Sequence, residues 1–137
     1  MTTTGKKNMI FGVIYFLTTL GLGMFLANKL ADPEWTKAGN QLRSILRTVH
    51  AHGNLEALLN VVFGFLICRY GMNSGLSRIA SVLFITGAIF HSGALYAGGL
   101  GLDIAFKLTP IGAISLVLAM VLMVPILLKG VQNEKSS

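Results

Sequence analysis

Four long apolar stretches separate the polar residues of this chain, and they constrain its fold more than any other feature. They cover approximately residues 8–29, 48–70, 76–98 and 106–128. The hydrocarbon core of a bilayer is about 30 Å thick, and a helix of roughly 20 apolar residues crosses it. Each stretch is therefore long enough to span a membrane. We predict an all-α fold, a four-helix transmembrane bundle that forms a single domain over residues 1–137.

Helices are the expected elements, because unpaired backbone groups are costly in lipid and the chain lacks the alternating pattern of a membrane barrel. The composition agrees, since 53% of the residues are hydrophobic and 12% are charged. A net charge of +6 would indicate nucleic-acid binding in a soluble chain, but the basic residues lie mostly beside the apolar stretches. We interpret them as interfacial anchors. The single Cys68 excludes a disulfide framework within one chain.

The connections between the stretches differ in length and character. Residues 30–47 form the one long polar loop, and Leu42, Ile45 and Leu46 make it amphipathic enough to lie partly on the membrane surface. The second connection, residues 71–75, is short and makes the second and third helices antiparallel neighbours. Basic residues are divided almost equally between the two sides, so they do not decide the orientation. We expect a multi-pass integral membrane protein, located in a bacterial inner membrane.

Five polar residues near the start of the second span are the candidate functional site. They are His50, His52, Asn54, Glu56 and Asn60. At about 100° per residue, His52, Glu56 and Asn60 share one stripe of the helix. His50 and Asn54 form a second stripe roughly opposite. A carboxylate inside a span costs about 2.5–3.5 kcal/mol on insertion scales, so Glu56 is expected to face the bundle interior and to hold a partner or a proton.

His52, one helical turn before Glu56, is its expected partner. A carboxylate that accepts from one imidazole nitrogen fixes the tautomer and leaves the other nitrogen available, as in metal-ligating histidines. The alternative is that His50 and His52 lie at the water interface and only cap or anchor the helix. The third span adds His91 and Tyr96, which are capable of acid–base or ligand chemistry. His91 can equally be a packing residue, and Tyr96 a member of the interfacial aromatic belt.

Two short motifs connect the chain to a known family. The first span closes with TTLGLG, residues 18–23, and the second opens with AHGNLEALLN, residues 51–60. Together with the four-helix layout, this arrangement resembles the small membrane family of styrene oxide isomerase and hydroxylaminobenzene mutase. The likeness extends over most of the chain, including Tyr96 and residues 106–128. It implies a trimer of four-helix subunits that holds haem b between subunits.

The resemblance also implies which residues bind the cofactor. It makes His52 the ligand of the haem iron, with His50 and Asn54 beside the cofactor. In the family pattern the histidine lies six residues before the asparagine of the same helix. That position is Asn54 in this chain, so His52 or His50 would take its place.

Three residues are the catalytic candidates of the same resemblance. Asn60 and Tyr96 would line the substrate pocket, while Glu56 would orient the iron ligand. Ferric iron would act as a Lewis acid and open a small apolar epoxide or a related substrate without net redox change. The expected partners are the lipid bilayer, this substrate and further copies of the chain, and nucleic acid is not among them.

A second resemblance leads to a different activity. Residues 51–56 are similar to the Arg-Ala-His-x-Asn-x-x-Glu motif of the microsomal glutathione transferase family, whose members are also trimers of four-helix subunits. It implies a glutathione-dependent transferase in which basic residues such as Arg47 and Arg78 hold the anionic tripeptide. A third hypothesis is a non-enzymatic oligomeric membrane protein whose polar stripes only pack helices. The isomerase is the preferred hypothesis of the three.

Overall fold

The computed structural model describes residues 3–72 and 74–135, and the remaining positions of the expected domain lie outside the described residues. Every regular element in this part of the chain is helical. Four segments are long and apolar enough to cross a membrane, and they are Lys6–Ala31, Gln41–Tyr70, Gly75–Gly99 and Asp103–Asn133. The predicted four-helix transmembrane fold is therefore confirmed, and its helices are those of an integral membrane protein.

The helices follow one another in chain order with short connections. The α-helices are α1 (Lys6–Asn28), α2 (Pro33–Thr36), α3 (Gln41–Tyr70), α4 (Gly75–Ala88), α5 (Ala94–Gly99) and α6 (Thr109–Lys135). Tighter 3₁₀ turns cover Lys29–Ala31 and Asp103–Leu108, and a π-helical segment covers Ile89–Gly93. The third span therefore consists of α4, the π segment and α5 in continuous succession.

Side-chain caps determine where the helices of the first connection begin. At the start of α2, the Asp32 Oδ1 atom accepts from the backbone N–H of Trp35 at 3.3 Å. This hydrogen bond and the one from the Lys29 side chain lower the pKa of the Asp32 carboxyl. The Oδ1 atom of Asn40 accepts from the backbone N–H of Arg43 at 2.9 Å, which caps α3.

The capped start of α3 lies well before the predicted start of the second span at residue 48. Helix α3 begins at Gln41 and continues without interruption to Tyr70. Leu46 is only 4% exposed, so the amphipathic pattern of the predicted loop partly reflects the inner face of this helix. The polar connection is thus shorter than predicted. The physical reason is the Asn40 cap, which allows α3 to start immediately after the loop.

Helices α1 and α3 pack closely and run antiparallel. A methyl group added at Gly12 of α1 would come within 2.6 Å of the backbone carbonyl oxygen of Ala57 on α3. One added at Gly53 of α3 would come within 2.5 Å of the Thr19 Cγ2 atom on α1. Small residues allow such an approach between helices in lipid, where dispersion contacts replace the hydrophobic effect as the main attraction.

Helices α4 and α6 pack on the second half of α3 and enclose an apolar core. The rings of Phe63 and Phe84 stack with their centroids 4.7 Å apart. The buried members of this core are Ile67, Ala80, Phe84, Ala119, Met123 and Ile126. This core fills the end of the bundle where α3 terminates, and the candidate site lies toward the opposite end.

The glycine contacts of α1 lead to a matched pair of substitutions. We expect Gly12→Ala to lower the free energy of unfolding by about 1–3 kcal/mol, because the added methyl group overpacks the contact with α3. At Gly21, a methyl group would have nothing within 4 Å. Gly21→Ala should be neutral or stabilise by up to about 1 kcal/mol through helix propensity. Unfolding by SDS titration in mixed micelles measures both values, and equal effects would contradict this packing.

Candidate functional site

The π-helical segment of the third span places His91 and Ser92 next to the polar stripe of α3. Helix α6 supports this segment from behind, since a methyl group added at Gly112 would lie 2.2 Å from the backbone nitrogen of His91. A π turn rotates the residues that follow it relative to a regular helix, and such turns are frequent at functional sites. As a result, two consecutive side chains reach the same carboxylate on α3.

That carboxylate belongs to Glu56 and is the centre of the site. Only 2% of Glu56 is exposed. Its Oε1 atom lies 2.5 Å from Nδ1 of His91, and its Oε2 atom accepts from the Ser92 hydroxyl at 2.5 Å. A buried charge in a membrane protein is strongly unfavourable unless it is paired and hydrogen-bonded. The prediction that Glu56 faces the bundle interior and holds a partner is confirmed.

The partner of Glu56 is His91, and the expected pairing with His52 is wrong. His52 is exposed and makes no hydrogen bond to any residue in the described ranges. Its ring packs edge-on against that of His91, with the centroids 5.0 Å apart and an interplanar angle of 80°. The helical period correctly predicted that His52 and Glu56 share one face of α3. The Glu56 side chain, however, can turn either along α3 or toward a neighbouring helix. In this bundle the neighbouring π segment supplies two donors.

A hydrogen-bonded chain continues from Glu56 to α1. The Ser92 hydroxyl, which donates to Glu56, also lies 2.6 Å from the hydroxyl oxygen of Tyr15. The Tyr15 hydroxyl lies 3.4 Å from the backbone carbonyl oxygen of Ala88 as well. Because the single Ser92 hydroxyl hydrogen is donated to Glu56, Tyr15 is the donor to Ser92 in this arrangement, and rotation of both hydroxyls would reverse the direction. Tyr15, Ser92, Glu56 and His91 therefore form one continuous chain of groups that can exchange protons, which we call the polar relay.

The Tyr15 end of the polar relay lies in the wall of a cleft between α1, α3 and α5. This apolar cleft has a volume of about 600 Å³. Its lining consists of Tyr15, Thr18, Thr19, Gly21, Leu22, Phe25, Leu42, Leu46, Val49, Gly93, Tyr96 and Leu100. Tyr96 is 41% exposed, so its ring stands at the rim of the cleft. The cleft is of a size that accepts a small organic molecule.

The other end of the polar relay faces the outside of α3, where His52 lies. One potential ligand atom from each of His52, Glu56 and His91 lies within 4.8 Å of those of the other two. These three side chains could therefore hold a metal ion. His52 is also in the lining of an open basin of about 800 Å³, together with Lys37, Arg43 and other residues of the first connection. We call this the basic basin, and it is separate from the apolar cleft.

The second polar stripe of α3 faces α1. Nδ1 of His50 lies 2.8 Å from the backbone carbonyl oxygen of Thr19. The Thr19 hydroxyl donates to Oδ1 of Asn54 at 2.5 Å, and the Asn54 amide nitrogen lies 3.3 Å from Nε2 of His50. His50 also covers Gly23, where a methyl group would come within 2.5 Å of its ring. These contacts pack α1 against α3, and the implied role of His50 and Asn54 in cofactor binding stays a prediction.

Asn60 lies in a buried network of its own. Its amide nitrogen donates to the backbone carbonyl oxygens of Glu56 at 3.0 Å and Phe84 at 3.1 Å. Its oxygen accepts from the Asn8 side chain at 3.1 Å. Asn8 in turn donates to the Ser81 carbonyl oxygen at 2.8 Å and accepts from the Ser81 hydroxyl. Asn60 is fully buried and connects three spans, so a substrate contact, which stays a prediction, would require this network to open.

Three participants in these networks were missed by the sequence analysis. They are Tyr15, Asn8 and Ser92, none of which was among the candidate residues. A signal was present for each, because a polar side chain within an apolar span needs a partner. The pairing itself depends on the π segment and on the register of α1 against α3, which the sequence does not state.

A protein-family model matches most of the chain. Residues 13–136 match the family described as "Domain of unknown function (DUF8059)", and the chain belongs to this family. Searches of curated proteins and of solved structures found no match.

The buried asparagine network can be tested by a double-mutant cycle. We expect Asn8→Ala and Asn60→Ala each to destabilise the bundle, because each removes the hydrogen bond between the two amides. The coupling between them should lie between about 0.6 and 1.7 kcal/mol, the average and the maximum found for hydrogen bonds between membrane helices. SDS-titration unfolding of the two single variants and the double variant measures this coupling. Strictly additive effects would show that the two amides do not stabilise each other.

Proposed function

We propose that this protein is a membrane-embedded isomerase that acts on a small apolar epoxide or a related substrate. The observation that carries the proposal is the position of Tyr15. Its side chain lines an apolar cleft, and its hydroxyl is connected through Ser92 to the buried carboxylate of Glu56. A group that transfers protons thus borders a space that favours an apolar molecule.

The apolar cleft is suited to a substrate that arrives from the bilayer. Its lining is predominantly hydrophobic, and it lies between α1 and α5 within the membrane-spanning part of the bundle. The hydroxyls of Thr18 and Tyr96 are further polar groups along the lining. Tyr96 is therefore proposed to position the substrate at the rim, while Tyr15 contacts the reacting oxygen.

The reaction uses one proton, which the protein donates to the substrate and later accepts back. Ser92 donates to Glu56 in the resting arrangement, so transfer begins when the Ser92 and Tyr15 hydroxyls rotate to donate toward the cleft. A proton held by the His91–Glu56 pair then passes from Glu56 to Ser92, from Ser92 to Tyr15 and from Tyr15 to the epoxide oxygen as one carbon–oxygen bond breaks. A hydride then shifts from the carbon that keeps the oxygen to the electron-deficient carbon. The resulting protonated carbonyl returns its proton along the same path. Atoms and electrons balance without an oxidant or a reductant, and general acid–base catalysis of this kind contributes about 10²–10⁴-fold to a rate.

Each member of the polar relay has a distinct role in this scheme. Tyr15 is the catalytic residue that touches the substrate. Ser92 carries the proton between the two spans, and Glu56 is the proton reservoir. His91 is a positioning residue, because its Nδ1 contact holds the Glu56 carboxyl group in place.

Haem remains part of the proposal in a restricted form. His52, Asn60 and Tyr96, the residues implied by the family resemblance, do not converge in one chain, because His52 lies outside the cleft lining and Asn60 is buried in its own network. The exposed imidazole of His52 would be the group that holds the iron of a haem bound between subunits of an oligomer. A haem there would supply Lewis-acid chemistry. The assembly as a trimer is likewise a proposal.

A glutathione-dependent transferase is the second candidate function, and the basic basin favours it. Lys37, Arg43 and Arg47 line this basin together with His52. Three basic side chains around one open space suit an anionic tripeptide. Arg78, the other basic residue suggested by the motif, belongs to α4 and is not in the lining.

Two of the three tyrosines of the chain provide a matched test of the isomerase. Protein in nanodiscs is incubated with aryl and alkyl epoxides, and the carbonyl product is followed by NMR. We expect Tyr15→Phe to lower kcat by about 10²–10⁴-fold, because the proton path loses its last hydroxyl. Tyr70→Phe is the control, since Tyr70 ends α3 outside the cleft lining. Equal kcat values for Tyr15→Phe and the unmodified protein would contradict the role of Tyr15.

Two simple measurements separate the haem form and the transferase from the proposed reaction. An absorption spectrum of purified protein that shows a Soret band, lost in His52→Gln, would support the haem form. A spectrum without a Soret band would rule out the haem form.

Millimolar glutathione should raise the Tm by mass action if glutathione binds the folded protein. An unchanged Tm would remove the transferase, and Arg47→Gln is the variant that should abolish any shift.

A further inference from the structure

The outer end of the polar relay combines three side chains whose chemistry differs from that of the apolar cleft. His52 and Glu56 lie one turn apart on α3, and His91 approaches from the π segment of the third span. One potential ligand atom of each residue lies within 4.8 Å of those of the others. We infer that His52, Glu56 and His91 form a binding site for a divalent transition-metal ion.

The donor set defines the class of ion. Two imidazoles and one carboxylate suit zinc, ferrous iron and neighbouring divalent metals, while calcium and magnesium prefer oxygen ligands alone. Sites with three protein ligands leave a coordination position for water or a substrate. The ion would also balance the buried negative charge of Glu56, which is only 2% exposed.

The surroundings of Glu56 match those of a metal-ligating carboxylate. Its Oε2 atom accepts from the Ser92 hydroxyl, which is itself 2.6 Å from the Tyr15 hydroxyl. Outer partners of this kind orient a ligand and tune its basicity. They occupy Oε2 and leave Oε1, which lies beside His91, for the ion.

Binding requires only a small adjustment of side chains. Ligand atoms around a tetrahedral ion with bonds of about 2.0 Å lie about 3.3 Å apart. The present separation of 2.5 Å between Glu56 Oε1 and His91 Nδ1 would have to widen. His52 would have to move inward, and it is exposed and makes no hydrogen bond to the described residues that would resist this. The ion would replace the contact between His91 and Glu56 with two coordinate bonds.

The basic basin gives this site a polar access route, because His52 belongs to its lining. The basin also carries Lys37, Arg43 and Arg47, whose positive charges repel an approaching cation. Salt screens such exposed charges, with a Debye length of about 10 Å at 0.1 M. We therefore expect the ion to bind faster as the ionic strength rises, whereas non-specific binding to exposed carboxylates would weaken.

The inference does not depend on the proposed isomerase. An ion on Oε1 and a proton shared between Glu56 and His91 are alternative states of the same pair. The hydrogen bonds from Oε2 through Ser92 to Tyr15 can persist in both. Metal content and turnover should therefore be measured separately on the same preparation, so that failure of one proposal is distinguishable from failure of the other.

The experiment uses the full chain in detergent, stripped with a chelator and then equilibrated with Zn²⁺. We expect one tightly held zinc ion per chain by elemental analysis after gel filtration. Loading with Co²⁺ in place of Zn²⁺ should give visible absorption bands of a cobalt ion with nitrogen and oxygen ligands. His52→Gln and His91→Gln should each abolish the retained ion, and Ser92→Ala should weaken it by about 10–100-fold through loss of the outer hydrogen bond.

The third histidine of the chain is the matched control. His50 is on the opposite stripe of α3, with its ring against Thr19 and Asn54, so His50→Gln should retain the ion. His52 is exposed, so His52→Gln is expected to fold even if a buried variant does not. The proposal is overturned if the unmodified protein retains no zinc, if His52→Gln retains as much, or if His50→Gln loses it equally. A haem pigment bound through His52 in place of the ion would also overturn it.

Discussion

The buried carboxylate of Glu56 is the constraint on which the half of this bundle that holds the candidate site depends. An ionised or proton-sharing carboxyl group within a membrane must have partners at both oxygens, because neither lipid nor bulk water supplies them. His91 and Ser92 provide these partners from a neighbouring span. The π segment that carries both residues is therefore part of the same constraint, since it lets two consecutive side chains reach one carboxylate.

The close packing of α1 against α3 extends this constraint to a third element. Tyr15 on α1 reaches Ser92 of the third span in the region where α1 and α3 approach closely at small residues such as Gly12 and Gly53. The same contact holds His50 and Asn54 against α1, away from Glu56. The polar residues of α3 thus lie on two faces. His50 and Asn54 pack against α1, whereas Glu56 belongs to the polar relay, which extends from the apolar cleft toward the exposed imidazole of His52. This division supports both the proposed proton transfer and the inferred metal site.

The sequence alone predicted the four-helix fold and the residues that α3 contributes to the site. The four apolar stretches predicted the four spans, because the thickness of the bilayer converts directly into helix length. The stripe of His52, Glu56 and Asn60 followed from the helical period alone. The sequence could not show that Glu56 turns toward His91, since the pairing arises from a π turn and from contacts between distant residues. It could not show the engagement of Asn60 by Asn8 either, because the register of α1 on α3 is a property of packing.

The pairing of Glu56 with His91 is the central claim, and NMR of the histidine side chains in bilayers tests it most directly. The chain has three histidines, so His50→Gln and His52→Gln assign the signals. In metal-free protein, the account predicts a strongly downfield Nδ1 proton of His91 that disappears in Glu56→Gln and persists in His52→Gln. A downfield proton that belongs to His52, or one in His91 that is unaffected by Glu56→Gln, would contradict it.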